Sequence, residues 1–262
     1  IEAGGSVANT MAGIAYLGGN PSFIGKISFD EFGKIYKKSL EKINVNFPYI
    51  EKSENLSTGA SIIFITPDSE RTMCTYLGIS SQLLVSDINE DHIKNYELIF
   101  LEGYLWDKGM SEAMFKHVIN LAKKNNVKIA MSLSDIFCVS RHRNDFFKLL
   151  LNDLNILIGN ENEMNELMQK NNLLDSIKEL KKINKLIIIT RSENGSLAIL
   201  NNEIIKCESA KVEKILDLTG AGDLFASGFF KEYLDKSGIK KCLQAGSELA
   251  ANIIQKIGAR LN

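Results

Sequence analysis

Residues 155–190, NILIGNENEMNELMQKNNLLDSIKELKKINKLIIIT, begin and end with a short apolar run and carry two helical patterns in between. The runs Asn155–Ile158 and Leu186–Thr190 predict buried strands. The stretches 161–169 and 174–183 have their apolar residues at helical spacing. Because parallel neighbours need crossover connections, this order of elements predicts two parallel strands joined by helices.

The same alternation continues toward the N-terminus. Leu98–Leu101 and Val127–Met131 are two further apolar runs, and helical patterns cover 110–124 and 143–151. Consecutive strand and helix units indicate one sheet covered by helices on both faces. The predicted fold class is therefore α/β, with a mostly parallel central sheet.

Residues 57–79 interrupt this order. Two β-rich runs surround a turn at Pro67-Asp68-Ser69, which predicts a hairpin, and the flanking stretches 6–17 and 30–42 have helical patterns. We interpret 57–79 as a small β-lid inserted over a site. The rest of the chain predicts a turn at 193–195, a hairpin through Asn201-Asn202, and helices at 222–235 and 240–257.

Composition limits the function classes. With 262 residues and 45% hydrophobic side chains, the chain can bury one large core, so we expect a single domain over 1–262. Lysine and arginine total 31 against 32 aspartate and glutamate, which disfavours nucleic-acid and anionic-membrane partners. The sequence has no apolar run of the ~20 residues that span a bilayer, and its Cys and His lack zinc spacing. A cytoplasmic enzyme is predicted.

Polar side chains follow four of the predicted strands. Ligands bind beyond the carboxyl ends of strands in open α/β sheets, so these residues predict a cleft, although strand ends that merely meet solvent are polar as well. The residues are Glu102, Ser132, Asp135, Asn160, Glu163, Thr190, Arg191 and Ser192.

The sharpest local feature is DLTGAGD at 217–223, which continues into the apolar helical stretch LFASGFF. Two glycines around one alanine allow backbone N–H groups to approach an anion, and the helix start adds partial positive charge. A carboxylate at Asp223 would be held ionised there. A plain turn with Asp223 as N-cap is the alternative.

These residues also carry a family resemblance. DLTGAGDLFASGFF resembles the second signature of the ribokinase-like (PfkB) carbohydrate kinases, with Leu218 in place of the usual Thr or Asn. The first signature is matched by GGSVAN at 4–9, LGG at 17–19, FIGKI at 23–27 and DEFG at 30–33. The resemblance covers essentially the whole chain and implies a ribokinase-like fold and ATP-dependent phosphoryl transfer. Because GGSVAN follows Ile1 so closely, an N-terminal strand or lid segment is expected to be missing.

Within the family, several segments are most similar to adenosine kinases and their bacterial relatives. They are GGSxxN at 4–9, TGA at 58–60, ERTM at 70–73, NENE at 160–163 and ANII at 251–254. The implied reaction converts adenosine to AMP. The alternatives are a kinase for ribose, fructose or a keto-deoxy sugar acid, and a non-catalytic nucleoside or sugar sensor. Both a monomer and a lid-mediated homodimer are compatible with the resemblance.

The resemblance also implies catalytic roles. Asp223 would be the general base that takes the proton of the attacking hydroxyl. Backbone N–H groups of Gly220, Ala221 and Gly222 would stabilise the charge on the transferring phosphoryl group. Arg71 would reach from the lid toward the phosphates.

Binding roles follow in the same way. Gly4, Gly5 and Asn9 would face the substrate. Thr190, Ser192, Gly195 and Asn252 would surround the nucleotide base of ATP. Asn160 and Glu163 would organise Mg²⁺ through water, with a helix N-cap as the alternative role of Asn160. Asp217 and Thr219 match a monovalent-cation site of relatives that K⁺ activates.

Overall fold

The structure is a computed structural model that describes residues 1–48, 50–52, 56–66, 71–107 and 111–261. The predicted turn at 67–69 lies outside these ranges. The chain divides into two compact units. The first unit consists of Ile1–Asp87, Ala210–Ser237 and Gln244–Asn262, and the second of Ile88–Ser209 and Gly238–Leu243. The single kinase domain over 1–262 stays a prediction.

From residue 57 onward the strands and helices follow one another in the order that the sequence predicted, whereas two short strands before that point were not predicted. The strands are β1 (Lys26–Ser28), β2 (Ile50–Lys52), β3 (Ala60–Ile65), β4 (Arg71–Tyr76), β5 (Leu98–Glu102), β6 (Lys128–Ser132), β7 (Ile156–Asn160), β8 (Leu186–Thr190), β9 (Ser196–Leu200) and β10 (Glu203–Cys207). The helices are α1 (Ser6–Tyr16), α2 (Glu31–Lys42), α3 (Ser111–Lys124), α4 (Ile136–Asn152), α5 (Glu161–Met168), α6 (Leu173–Leu180), α7 (Ala221–Leu234) and α8 (Ile239–Ile253).

The second unit is built on one mixed sheet. Within the described residues the sheet has six strands in the order β10-β9-β8-β7-β6-β5. Strands β5 to β8 run parallel, whereas β9 and β10 are antiparallel additions at one edge. The crossovers between parallel strands contain α3, α4, and the pair α5 and α6. The predicted α/β fold with a mostly parallel sheet is confirmed.

Burial explains why the central strands lack alternation. Ile156–Ile158 and Leu186–Ile189 are at most 5% exposed, at every position. Because successive side chains of a strand point to opposite faces, both faces of the sheet are covered at these strands. The apolar runs of the sequence therefore mark central strands.

One predicted helix was placed too late. Helix α4 begins at Ile136 instead of 143, where the Oδ1 atom of Asp135 accepts a hydrogen bond from the backbone N–H of Cys138 at 2.6 Å. Non-helical dihedrals at His142 divide α4 into two stretches. The apolar spacing of 143–151 describes only the second stretch, which is why the prediction began there.

The hairpin between β9 and β10 has the turn that the sequence indicated. Asn201 and Asn202 both have positive φ, 51° and 66°. Two consecutive left-handed residues are typical of the two-residue turns that match strand twist, and asparagine tolerates this conformation. The hairpin prediction is confirmed.

The first unit contains two small sheets among its described residues. Strands β1 and β2 form a parallel pair that the sequence analysis missed, because three-residue strands show no usable periodicity. Strands β3 and β4 form the predicted antiparallel hairpin, in register from Ala60 opposite Tyr76 to Ile65 opposite Arg71. Every residue of β3 and β4 is exposed.

Helices α1 and α7 pack closely in the first unit. A Cβ atom added at Gly13 would lie 2.6 Å from Cβ of Ser227 and 2.8 Å from Cδ1 of Leu224. The hydroxyl of Ser227 shares its one hydrogen between the carbonyl oxygens of Thr10, at 2.9 Å, and Asp223, at 2.8 Å. The glycine thus permits a close approach that fixes the start of α7 against α1.

Across the part of the chain that the structure describes, no helix combines the length and apolar character required to cross a bilayer.

Replacing Gly13 by alanine should lower the free energy of unfolding by about 1–3 kcal/mol, because the added methyl group overlaps Ser227 and Leu224. Alanine in an unobstructed helix position would instead stabilise by roughly 0.5–1 kcal/mol. Urea denaturation of Gly13→Ala and the wild type measures the difference. Gly222→Ala is the matched control for stability, because a Cβ there meets no described atom within 4 Å. A Gly13→Ala protein more stable than the wild type would contradict the packing argument.

Candidate active site

The loop before α7 has the conformation that its glycines allow. Gly220 is left-handed, with φ 81° and ψ 0°, and it is the N-cap residue of α7. A Cβ at Gly220 would lie 3.0 Å from Cα and Cβ of Ala259. The first N–H groups of a helix have no intrahelical acceptor. The turn therefore offers donors at the exposed position Gly222, where an anion could be held.

Asp223 lies in the first turn of α7, and α1 fixes both of its carboxylate oxygens. Oδ1 accepts a hydrogen bond from the Ser6 hydroxyl at 2.7 Å. Oδ2 accepts one from the Asn9 side-chain amide at 2.9 Å. The hydroxyl of Thr10 donates to the Asp223 carbonyl at 3.2 Å. The residue as a whole is partly exposed, and both of its carboxylate oxygens are held by side chains of α1.

Two opposing effects act on the Asp223 carboxyl group. Burial raises its pKa above the ordinary value of an aspartate, and this effect prevails. Hydrogen bonds from Asn9 and Ser6 and the positive charges of Arg71 and Arg260 act in the opposite direction. The sequence argument considered only the helix start, which favours the carboxylate. A raised pKa makes the ionised group a stronger proton acceptor.

Arg71 is the first residue of β4 and is exposed. Its charge lowers the pKa of Asp223 and of Asp217. The predicted lid arginine therefore lies within electrostatic reach of the glycine loop.

Asp217 lies at the beginning of the same loop and is buried. Its Oδ1 accepts from the backbone N–H of Thr219 at 2.8 Å, and Oδ2 accepts from Gly258 at 2.9 Å. Burial opposes ionisation, but the contacts with Thr219 and Gly258 and the charge of Arg71 lower its pKa overall. Among the described residues, the buried hydroxyl oxygen of Thr219 has no partner within hydrogen-bond distance and angle limits, although the Thr219 side chain helps to lower the pKa of Asp217. An oxygen-only set of this kind suits a monovalent cation.

The N-terminal glycines lead into α1. Gly5 is its N-cap, with φ 99°. The carbonyl of Gly4 accepts a hydrogen bond from the Tyr36 hydroxyl at 3.2 Å, and a Cβ at Gly4 would meet no described atom within 4 Å. Asn9, predicted to face the substrate, donates a hydrogen bond from its side-chain amide to Asp223. Its contact with a substrate stays a prediction.

In the second unit, Asn160 and Glu163 form a reciprocal cap at the start of α5. Oδ1 of Asn160 accepts from the backbone N–H of Glu163 at 2.9 Å, and Oε2 of Glu163 accepts from the backbone N–H of Asn160 at 2.9 Å. The Asn160 side-chain amide also donates to Oε1 at 2.6 Å. The N-cap alternative for Asn160 is therefore correct. This cap engages the Asn160 side-chain amide and both carboxylate oxygens of Glu163, and the role toward Mg²⁺ stays a prediction.

Burial raises the pKa of Glu163 to about 7, with a smaller contribution from the charge of Asp135, while the backbone of Asn160 acts against it. Glu163 is 5% exposed. A nearby divalent cation would favour the ionised form, so the donor chemistry fits magnesium held through water. Among the described residues, no group of three or more His, Cys, Asp and Glu is arranged to bind a metal directly.

The predicted nucleotide residues fall into two places. Thr190 ends β8, and Ser192 and Gly195 lie in the tight turn to β9, both with positive φ, 48° and 77°. A Cβ at Gly195 would collide with the carbonyl oxygen of Cys207. Asn252 belongs to α8 in the first unit and is exposed.

The structure thus groups the predicted residues within each unit. In the first unit, the loop at 217–223, Asn9 and the charge of Arg71 act together around Asp223. Two contributors escaped the sequence analysis, Ser6 and Arg260. Ser6 stands inside the GGSVAN motif and was available as a signal. Arg260 follows a short Gly-Ala pair near the C-terminus and had no such signal.

Comparison with known proteins agrees with this geometry. The model of the pfkB family carbohydrate kinases matches residues 1–262. A 5-dehydro-2-deoxygluconokinase of Clostridium botulinum (strain Eklund 17B / Type B) is 28% identical over 267 residues, which cover 96% of this chain and 78% of that protein.

Two crystal structures are similar over nearly the whole chain. One is a probable sugar kinase from Rhizobium etli CFN 42, with TM-score 0.94, 32% identity, and coverage of 98% of this chain and 78% of the other. The second is an adenosine kinase from Sinorhizobium meliloti, with TM-score 0.95, 33% identity, and coverage of 98% and 79%.

A mixed sheet with helical crossovers, and a glycine turn that leads into a helix with an aspartate in its first turn, define the class of ribokinase-like kinases. The chain belongs to the pfkB family of carbohydrate kinases. It is an ATP-dependent sugar/nucleoside kinase, and its family typically uses ATP with Mg²⁺.

The raised pKa of Glu163 has a consequence for stability. Because the folded protein holds this proton more tightly than the unfolded chain, the stability gained below the unfolded pKa is lost as pH rises through about 7. In EDTA, the unfolding free energy of the wild type should fall between pH 4.5 and 7.5 by about 3 kcal/mol more than that of Glu163→Gln.

Urea denaturation at several pH values measures this difference. Glu166→Gln, a partly exposed glutamate of the same helix, is the control and should keep the wild-type profile. Parallel profiles for the wild type and Glu163→Gln would show that the buried carboxyl group does not titrate in this range.

Proposed function

We propose that this kinase transfers the γ-phosphoryl group of ATP to the hydroxymethyl group of a nucleoside, converting adenosine to AMP, with Asp223 as general base. The observation that carries the proposal is the fixed orientation of Asp223 at the start of α7. Ser6 and Asn9 hold its two oxygens at 2.7 and 2.9 Å. A base held this way needs no reorientation before the proton transfer.

The proposed step is a single displacement. The hydroxyl oxygen of the acceptor forms a bond to the γ-phosphorus, and the bond from that phosphorus to the leaving oxygen of ADP breaks. The hydroxyl proton passes to Asp223. Backbone N–H groups of Gly220, Ala221 and Gly222 stabilise the charge on the transferring group, with the N–H of Ala221 leaving its 3.4 Å contact with the Leu218 carbonyl.

Other residues have supporting roles in this proposal. Arg71 offsets phosphate charge from the lid, and its effect on Asp223 supports that position. Asn160 and Glu163 would hold Mg²⁺ through water, and the bound ion would supply positive charge that offsets the phosphates. Thr190, Ser192 and Gly195 in the second unit have a proposed role in binding the base of ATP, and the same role is proposed separately for Asn252 in the first unit.

The acceptor is the finer part of the proposal. The Sinorhizobium meliloti adenosine kinase, 33% identical over 98% of the chain, supports a nucleoside. The second candidate is a keto-deoxy sugar acid, since the Clostridium botulinum relative is named a 5-dehydro-2-deoxygluconokinase. The two acceptors differ in charge, because adenosine is neutral and a sugar acid carries a carboxylate.

Release of ADP with adenosine, inosine, ribose, fructose and 5-dehydro-2-deoxygluconate as acceptors tests the proposal. We expect the highest kcat/KM with adenosine, and a loss of roughly 10²–10⁴ in kcat for Asp223→Asn, which cannot accept the proton. Asp235→Asn, at the far end of α7 and exposed, is the matched control and should turn over normally.

A higher kcat/KM with 5-dehydro-2-deoxygluconate than with adenosine would make the sugar acid the acceptor and would leave the proposed role of Asp223 unchanged. Normal turnover by Asp223→Asn would remove Asp223 as the base.

The oxygen set at Asp217 and Thr219 supports activation by K⁺. We expect turnover to rise when KCl replaces tetramethylammonium chloride at constant ionic strength. Thr219→Val removes the buried hydroxyl and keeps the side-chain shape, so this variant should lose most of the response. Thr75→Val, which removes an exposed hydroxyl group from β4, is the control. An equal response in Thr219→Val and the wild type would exclude Thr219 as a ligand.

A further inference from the structure

We propose that Arg260 is a positioning residue that fixes the Asn9 amide so that it donates to the base Asp223. The inference rests on the proposed role of Asp223. The Arg260 Nε donates to the Asn9 Oδ1 at 3.2 Å, and the Asn9 Nδ2 donates to the Asp223 Oδ2 at 2.9 Å. The three side chains form a hydrogen-bonded chain from the C-terminal segment to the first turn of α7, which we call the relay; no proton moves along it.

The direction of the relay follows from the chemistry of an amide. A side-chain amide has an acceptor oxygen on one side and donor hydrogens on the other, and a guanidinium can only donate. Reversing the Asn9 amide would set its N–H groups against Arg260 and its oxygen against the carboxylate. Arg260 therefore excludes the orientation in which Asn9 repels Asp223.

The guanidinium is itself held by α2. Its Nη1 donates to the Ser39 hydroxyl at 3.3 Å, and the Tyr36 side chain also hydrogen-bonds to it. Burial lowers the pKa of Arg260, and the groups of Tyr36, Glu2 and Asp223 oppose this effect. Nη2 is buried and has no hydrogen-bond partner among the described residues. A buried guanidinium without full pairing costs stability, which points to a role in the site.

The segment that carries Arg260 also contacts the glycine loop. The backbone N–H of Gly258 donates to Oδ2 of Asp217 at 2.9 Å, and Ala259 packs on Gly220. Three consecutive residues therefore support the loop and the base from one side. If this segment served only to pack against the loop, the contacts of Gly258 and Ala259 would be sufficient.

Because Arg260 is charged, the inference also predicts how the pH dependence of kcat/KM changes when this residue is replaced. The groups that face Asp223 or Arg260 are Ser6 and Asn9 from α1, Arg71 from β4, Tyr36 and Ser39 from α2, and Glu2. The charge of Arg260 lowers the pKa of Asp223, so its removal raises that pKa further. Because the base acts when deprotonated, the acid limb of kcat/KM should move to higher pH.

Arg260→Met keeps the aliphatic stem and removes the charge. We expect kcat to fall roughly tenfold with little change in KM for ATP, as for the loss of one charge-assisted hydrogen bond. Arg260→Lys keeps the charge but loses the planar fork, so kcat should fall while the acid limb stays near that of the wild type. Lys256→Met removes an exposed charge from the same segment and is the control.

A double-mutant cycle tests whether Arg260 acts through Asn9. If it does, Asn9→Ala combined with Arg260→Met loses no more kcat than Asn9→Ala alone. Additive losses, or an acid limb unmoved in Arg260→Met, would overturn the inference and leave a structural role.

The proposed function can fail separately from this inference. Inactive Asp223→Asn with wild-type kinetics in Arg260→Met would reject only the relay. Full activity of Asp223→Asn would reject the base, and the relay with it. If Arg260→Met does not fold, Arg260→Lys with unchanged kcat would overturn the inference, and a reduced kcat with an unmoved acid limb would support it.

Discussion

The hydrogen bonds that Ser6 and Asn9 donate to Asp223 connect two helices at opposite ends of the chain. Three features of the first unit bring the two helices into the positions that these bonds require. Gly13 lets α1 approach α7 closely. The hydroxyl of Ser227 lies within hydrogen-bond distance of a backbone carbonyl of each helix. The glycine at 220 then turns the chain into α7. The packing of α1 on α7 thus helps to place Asp223, the proposed general base.

Much of the fold could be predicted because the relevant signals are local. Continuous apolar runs such as Leu186–Thr190 marked central strands, and Asn201-Asn202 marked a hairpin turn. The predictions failed where the apolar spacing of the sequence does not record the structure. The pair β1 and β2 is too short to have a period, and the first part of α4 depends on a cap at Asp135 and a break at His142 that apolar spacing does not record.

The candidate site was predicted in a similarly uneven way. Asp223 and its glycines form a contiguous motif, so the sequence shows them directly. Arg260 meets Asn9 only because the chain folds back over most of its length, and one sequence contains no record of that contact. For Glu163, the sequence showed the motif but not the burial of the side chain. That burial gives the group a pKa of about 7, which spacing alone could not indicate.

The β3–β4 hairpin has solvent on both faces, including the large apolar residues Ile62, Phe64 and Met73. A two-stranded ribbon in water is marginally stable by itself. Its amide hydrogens should therefore exchange with deuterium well before those of the buried strands in the second unit. Local opening at low free-energy cost would let the hairpin that carries Arg71 rearrange without disturbing the central sheet.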